Sequence, residues 1–221
     1  MDLFIAIGIC FVPALVLSAI LLLTVKNLQV WQVLVSFASG ILAIVPIAVL
    51  QYVVFKLPIF NTNTLVSLLV TAFIFNGLIE ETIKMAWICI LPGKRMSCGT
   101  FLAAAIIAGF ACGTFEVVVY LMNGERQVGL RFLTAVLIHT FCAGLSGLYV
   151  WSYKQKKPLL RPFIMAILLH GVYNFFAARS GGFQWFAIIT IIYAAIRVRF
   201  SYTQLTSFGD NDTIPNIHDA G

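Results

Sequence analysis

The chain has 221 residues, of which 61% are hydrophobic and only 10% are charged. An ordinary soluble domain carries roughly a quarter of charged residues, so this composition excludes a soluble globular protein, a disordered chain and a nucleic-acid-binding module. Lys and Arg number 14 against 8 Asp and Glu, which gives a net charge of +6. In a chain this apolar, the side of the membrane on which the basic residues lie matters more than the net charge.

Seven apolar segments are long enough, or nearly long enough, to cross a bilayer, which takes about 20 residues of helix. They run over residues 4–25, 31–55, 65–91, 100–122, 130–153, 162–178 and 183–198. The pattern predicts an all-α, polytopic membrane helix bundle with about seven transmembrane helices. The last two segments are short and close together, so they form either a tight hairpin or one spanning and one re-entrant segment.

The same pattern predicts the domain organisation. Residues 1–200 form a single transmembrane domain, in which the helices that carry the functional residues cover about 65–178. The first segment has no basic leader and no small-residue cleavage site, so we expect it to be retained rather than removed as a signal peptide. Residues 201–221 are polar and are predicted to form a flexible cytoplasmic tail. The five cysteines lack the spacing of a disulfide framework or a zinc knuckle.

Basic residues are unevenly divided between the two ends of the predicted helices. One end carries nine, namely Lys26, Lys94, Arg95, Lys154, Lys156, Lys157, Arg161, Arg197 and Arg199. The other end carries four, namely Lys56, Arg126, Arg131 and Arg179. Because cytoplasmic loops are enriched in Lys and Arg, we expect the nine to be cytoplasmic. The N-terminus then lies outside and the C-terminus inside, in a multi-pass protein surrounded by membrane lipid.

Ionisable and polar side chains lie in four successive predicted helices, although a charge at the centre of a bilayer costs at least about 2.5 kcal/mol. They are Glu80, Glu81 and Lys84 in the third helix, Glu116 and Tyr120 in the fourth, His139 in the fifth, and His170 and Asn174 in the sixth. Such residues usually face a protein interior or a wet cavity. Their positions therefore predict a buried polar site that these helices share.

The two adjacent glutamates are the strongest chemical signal. Glu80 and Glu81 lie four and three residues before Lys84, so both carboxylates can reach its ammonium. Lys84 neutralises one of them, and the other can take up a proton, because two adjacent carboxylates in a low-dielectric site do not both ionise easily. General base catalysis needs a carboxylate of this kind. The alternative is an ion pair that only holds helices together.

Two further pairs share a helix face at a spacing of four residues. Tyr120 can contact Glu116, and Asn174 can orient the His170 imidazole or donate to a developing oxyanion. A single membrane histidine such as His139 is more typical of a hydrogen-bonded interior residue than of a catalyst. Packing alone can explain each feature, so the prediction of a functional site rests on their occurrence together.

The depths of these residues agree only in part. At 1.5 Å per residue, Glu116, His139 and His170 lie roughly 9–14 Å below the outer surface in the predicted orientation. Glu80 lies roughly 22 Å deep on the same basis, nearer the midplane than its expected partners. A later helix start or a tilt is needed to bring them together.

Taken in order, these motifs resemble the PrsW family. The resemblance rests on Glu80-Glu81-x-x-Lys84, Phe115-Glu116-x-x-x-Tyr120, His139 and His170-x-x-x-Asn174, within residues 76–176. PrsW proteins are bacterial intramembrane proteases of the superfamily that contains the CAAX prenyl endopeptidases and bacteriocin-immunity proteins. One departure is Asn174, where we expect Asp in many members. Because Asn carries no charge, we do not expect this position to act as an acid or base.

The resemblance implies an intramembrane endopeptidase of the bacterial cytoplasmic membrane with a role in stress response. Its substrate would be a single-span anti-sigma factor, which it cuts first (site 1) on the extracytoplasmic side, so that a sigma factor is later released. The implied catalytic residues are Glu80, Glu81, Glu116, His139 and His170, supported by Lys84, Tyr120 and Asn174. The related prenyl endopeptidases activate water with Glu and His, which implies a glutamic mechanism without a metal or other cofactor.

The resemblance also divides the roles among these residues. Glu80 would be the general base that takes the proton from water, while Glu81 and Lys84 balance the charge of the site. Glu116 and His139 would position water or protonate the leaving amine. The histidine and asparagine of the sixth helix would stabilise the tetrahedral oxyanion.

Three alternatives stay open. In a zinc metalloprotease, Glu116, His139 and His170 would bind the ion and leave one position for water, although the chain lacks the H-E-x-x-H motif. In a proton-coupled transporter, the buried carboxylates and histidines would form a proton relay, but no internal repeat or paired broken helix supports this. The third alternative is a family member without activity that acts as a binding or immunity protein.

Overall fold

The structure, a computed structural model, describes residues 3–54, 56, 64–122, 128–179 and 181–210. Seven helices form a bundle in this part of the chain, which contains no strand. They are α1 (Leu3–Thr24), α2 (Val30–Val54), α3 (Leu65–Ile88), α4 (Cys98–Met122), α5 (Val128–Lys154), α6 (Arg161–Ala177) and α7 (Gln184–Asp210). The predicted all-α, polytopic helix bundle is confirmed.

The outer surface of the bundle is apolar. Six of the seven helices are long and apolar enough to cross a membrane. The exception is α6, which has 17 residues and is therefore about 25 Å long. Large apolar side chains such as Leu23 and Trp185 are 86% and 69% exposed, as expected of helices that face lipid rather than water.

The last helix is longer than the sequence predicts. α7 continues to Asp210, beyond the predicted end of the membrane domain at residue 200, and residues 211–221 of the predicted tail lie outside the described residues. Leu205, which is buried against Cys98 and Leu148, anchors this extension. One buried apolar contact therefore continues the helix into a stretch that is polar on average.

Helices α4 and α5 form the centre of the bundle, with 67% and 72% of their spans buried. Two glycines allow this close packing. A Cβ on Gly113 would lie 2.8 Å from the Val136 Cα, and a Cβ on Gly109 would lie 2.5 Å from the His139 carbonyl oxygen. Small residues at four-residue spacing allow membrane helices to approach in this way. The contact brings Glu116 of α4 beside His139 of α5.

Helix α3 is irregular in its middle. A π-helical segment, Thr71–Ile79, separates the α-helical turns Leu65–Val70 and Glu80–Ile88. π-helices are rare and often occur at functional sites. Because their wider turns advance less along the axis for each residue, Glu80 lies closer to the start of α3 than a regular helix would place it. The predicted separation in depth between Glu80 and His170 is wrong, since their side chains lie 3.9 Å apart.

Two more glycines hold this irregular segment against α6. A Cβ on Gly77 would lie 2.7 Å from the Ile167 carbonyl oxygen, and a Cβ on Gly171 would lie 2.6 Å from the Phe73 ring. The backbones of α3 and α6 therefore come close together at this level. The two glutamates that follow Gly77 consequently lie beside His170.

Candidate active site

Glu81 is the centre of a buried polar cluster and is itself fully buried. Its Oε1 accepts hydrogen bonds from Lys84 Nζ and from His170 Nδ1 at 2.7 Å. Its Oε2 accepts from Ser146 Oγ at 3.3 Å. Because a carboxylate only accepts, Nδ1 of His170 carries the proton and Nε2 of a neutral ring is an acceptor. Glu81 therefore orients the ammonium and the imidazole.

Glu80 has different partners, although it follows directly on the same helix. Its Oε1 accepts a hydrogen bond from Gln51 Nε2 at 2.7 Å, and its Oε2 lies 3.9 Å from His170 Nε2. That distance is too long for a direct hydrogen bond, but it suits two acceptors that share a bridging water. Lys84 contacts Glu81, so Glu80 is the carboxylate of the pair that is left for another role.

Glu116 and His139 form a second pair on the other side of the cluster. Glu116 Oε2 contacts His139 Nε2, and Glu116 Oε1 accepts from the Tyr120 hydroxyl at 2.8 Å. His139 Nδ1 lies 3.0 Å from Lys84 Nζ. Because an ammonium only donates, Nδ1 is the acceptor here and the Nε2 proton points towards Glu116. Lys84 therefore joins the Glu81 carboxylate of α3 to the α5 histidine.

The two histidine rings complete the cluster. Their centroids lie 4.8 Å apart at an interplanar angle of 74°. One donor atom each from Glu80, His139 and His170 lies within 4.8 Å of the others, and all three residues are buried. The metal set expected from the sequence contained Glu116, but in the structure Glu80 is the carboxylate of this group.

The donor types fit a zinc ion, because two imidazoles and one carboxylate are a ligand set of catalytic zinc sites. His170 is already oriented as a metal ligand, since its Nδ1 donates to Glu81 and its Nε2 faces Glu80. A carboxylate behind a ligating histidine is the usual second partner. His139 differs because both of its nitrogens are engaged, by Lys84 and Glu116. To bind a metal, it must release one of them.

Among the described residues, Asn174 makes no hydrogen bond to an imidazole ring. Its Nδ2 donates to the backbone carbonyl of His170 at 3.3 Å, so any influence on the His170 ring acts through the backbone. Asn174 lines a cavity of about 150 Å³ beside the cluster. The residues that line this cavity are Asn76, Glu116, Tyr120, Ala135, His139, Tyr173, Asn174, Ala177 and Ala178.

Sequence reasoning did not find two residues of the cluster, Gln51 and Ser146. Both are polar residues inside apolar segments, and each reaches a glutamate of α3 from another helix. Their polarity was the available signal, but an amide or hydroxyl is common enough in membrane helices that it does not stand out. Only the packing of α2 and α5 against α3 reveals their role.

The chain was compared with known protein families, with curated proteins and with solved structures. A family model described as PrsW family intramembrane metalloprotease matches residues 29–198, which include every residue of the cluster. The chain belongs to the PrsW family. It is therefore a multi-pass membrane protein and an intramembrane peptidase. No curated protein and no solved structure matches it significantly.

The description of the PrsW family bears on the cofactor. It names these proteins metalloproteases, which does not support the expectation of a peptidase without a metal. The Glu80, His139 and His170 group provides suitable ligands. The glutamic and metallo types of mechanism therefore both remain candidates for this chain.

Gln51 provides a first test of the cluster. We expect Gln51→Leu to lower the kcat of proteolysis about 10- to 100-fold, because a hydrogen bond to a charged group contributes about 1.5–3 kcal/mol. Without that bond, the Glu80 carboxylate is no longer held with Oε2 towards His170. Steady-state cleavage by the purified variant measures the effect. The matched control is Tyr52→Phe, which removes a polar atom from the neighbouring exposed side chain. Equal values of kcat for Gln51→Leu and for this control would contradict the expectation.

Proposed function

We propose that the chain cuts a single-span membrane protein with a water molecule activated between Glu80 and His170. The observation that carries this proposal is the 3.9 Å gap between Glu80 Oε2 and His170 Nε2. Both atoms are acceptors, so a water in the gap can donate one proton to each of them. Its lone pairs then point away from both groups and towards a substrate carbonyl.

The surrounding contacts support a separate role for each residue. Gln51 holds the other oxygen of Glu80, and Glu81 holds His170 from behind. Glu80 takes the proton as the water oxygen bonds to the carbonyl carbon, and it gives the same proton to the amine nitrogen when the C–N bond breaks. This is the general base and acid role that a positioned carboxylate performs in hydrolysis.

His139 stabilises the tetrahedral oxyanion in this proposal. The Lys84 ammonium 3.0 Å from Nδ1 polarises the ring and makes the Nε2 proton a stronger hydrogen-bond donor. Before substrate binds, that proton is directed at Glu116, which Tyr120 orients. The substrate carbonyl replaces Glu116 as the acceptor. A donor held in place in this way stabilises the negative charge that develops on the carbonyl oxygen.

We further propose that the substrate is an anti-sigma factor, cut first on the extracytoplasmic side of a bacterial cytoplasmic membrane. Two features support this side. The nine basic residues that we expect to be cytoplasmic belong to one end of the helices. The cavity beside the cluster is lined by Tyr120 near the end of α4, Ala135 early in α5 and Ala178 after α6, which belong to the opposite end.

A zinc-dependent version of the same reaction is the second candidate. Two observations favour it, namely the family description and the converging donor atoms of Glu80, His139 and His170, which would hold the ion. Zinc would supply Lewis acidity that polarises the scissile carbonyl and makes water more nucleophilic. In this version His139 must exchange its contact with Lys84 or Glu116 for the metal.

Reconstitution tests the function itself. The purified chain and a candidate single-span anti-sigma factor are placed together in proteoliposomes, and the released extracytoplasmic fragment is measured by mass spectrometry. We expect one main cut within or next to the membrane segment. Absence of cleavage for every single-span substrate tried, together with proton flux through the protein, would instead favour the transporter alternative.

Chelation distinguishes the two versions of the mechanism. If water is activated by Glu80 and His170 alone, activity survives prolonged treatment with a strong chelator, and elemental analysis finds well under one zinc per chain. About one zinc per chain, with activity lost on chelation and restored by zinc, would establish the metal-dependent version. As a structural readout, His139→Ala should reduce the zinc content only in the second case.

A further inference from the structure

Asn76 is a polar side chain for which the described residues offer no hydrogen-bond partner. It belongs to the π-helical segment of α3, it is half-buried, and it lines the cavity that also contains Glu116 and His139. An amide without a partner in an apolar environment is costly, and polar side chains inside a membrane usually face the protein interior or a wet cavity. Asn76 therefore offers an unused donor and an unused acceptor at this cavity.

The position of Asn76 is held firmly. The next residue, Gly77, brings the backbone of α3 against α6, where an added Cβ would lie 2.7 Å from the Ile167 carbonyl oxygen. This contact places Asn76 and Asn174 on the same cavity. Asn174 uses one N–H for the His170 carbonyl, so its other N–H and its oxygen can still bond. The cavity therefore presents two amides, each with a donor and an acceptor.

Part of the cavity wall is made of small side chains, beside the larger Tyr120 and Tyr173. The small side chains are the alanines Ala135, Ala177 and Ala178. The cavity is next to the cluster because Glu116 and His139 also line it. The volume of about 150 Å³ equals that of an engineered cavity that binds benzene, about 150 Å³. The cavity can therefore take an aromatic or branched aliphatic side chain.

We infer that this cavity binds a substrate residue that flanks the scissile bond, an inference that rests on the proposed peptidase function. Asn76 hydrogen-bonds the main chain of that residue, because an amide offers the donor and the acceptor that a peptide group needs. The alanine wall receives its side chain and limits its size. Asn76 is thus a substrate-binding residue and the alanines determine specificity.

Filling the cavity tests the specificity part. Ala177→Leu and Ala178→Leu reduce the space, and Ala48→Leu, on the exposed surface of α2, is the matched control. Each is assayed with substrates that carry Phe or Ala at each of the two residues flanking the cut. At one of these positions, we expect the ratio of kcat/KM for Phe over Ala to fall at least tenfold in the cavity variants only. A ratio within about twofold of the control at both positions would overturn the assignment.

Removing the amide tests the binding part. We expect Asn76→Ala to raise KM about tenfold, as the loss of one hydrogen bond allows, while kcat stays within about twofold. The control is Thr82→Ala, at an exposed residue of the same helix whose hydroxyl donates to the Leu78 carbonyl oxygen. A purely structural role would lower the folded fraction and hence the apparent kcat. An unchanged KM, or a fall in kcat alone, would show that Asn76 does not bind substrate.

The Glu80→Gln variant separates failure of this inference from failure of the proposed function. If Glu80→Gln cleaves the substrate at the wild-type rate, the proposed mechanism is wrong, regardless of the selectivity and KM of the cavity variants. If Glu80→Gln is inactive while the cavity variants keep the wild-type selectivity and KM, only the assignment of the cavity is wrong.

Discussion

Glu80→Gln should lower the kcat/KM of proteolysis by about 10²- to 10⁴-fold, the range that a positioned general base contributes. The substitution keeps the shape of the side chain, and its amide oxygen can still accept from Gln51. The group facing His170, however, can no longer take a proton from water. Cleavage of a membrane-anchored substrate in proteoliposomes measures the loss, at equal amounts of folded enzyme.

The control for this variant lies two residues further along the same helix. Thr82 is exposed, and its hydroxyl bonds the Leu78 carbonyl oxygen at 2.7 Å, so Thr82→Ala should cleave at the wild-type rate. If Glu80→Gln also cleaves at that rate, Glu80 is not the base, and the water in the 3.9 Å gap is not the nucleophile.

Lys84→Met should lower the free energy of unfolding by about 3–5 kcal/mol, the usual effect of removing one partner of a buried ion pair. Glu81 is fully buried and Lys84 is 3% exposed, so the carboxylate is left in a low-dielectric interior without its cation. His139 also loses the ammonium at Nδ1. Reversible unfolding in mixed detergent micelles measures the change.

Two comparison variants define the origin of this effect. Lys56→Met removes an exposed lysine, whose ammonium contacts the hydroxyl and ring of Tyr52, and should change stability by less than about 1 kcal/mol. Glu81→Gln combined with Lys84→Met removes both charges and should recover most of the lost stability while cleavage stays impaired. If the double variant is as unstable as Lys84→Met, the buried pair is not the cause.

The helices were predictable because each one satisfies a local requirement. A run of about 20 apolar residues has to form a helix in a membrane, since every backbone group needs a partner within the segment. The end of α7 was not predictable, because Leu205 extends that helix by packing against Cys98 and Leu148, residues far away in sequence. The π-helical segment Thr71–Ile79 was likewise not predictable, because no sequence pattern indicates it.

The candidate site was predictable at the level of its residues, because charges in apolar helices are too costly to be retained without a reason. The eight residues expected from the sequence all belong to the cluster or to the wall of its cavity. Which of them act in catalysis stays a prediction. The contacts among them come from different helices, and a single sequence contains no information about distances between helices.

The amino-acid sequence by itself determined that this protein is a helical membrane protein with ionisable residues inside four successive apolar helices. The tertiary structure alone decided which partners each carboxylate has. Four glycines bring α3, α4, α5 and α6 so close that Lys84 pairs with Glu81 and His139, while Glu80 is left facing His170. The reason is geometric, because neighbouring carboxylates on one helix differ in their partners only through the helices packed around them.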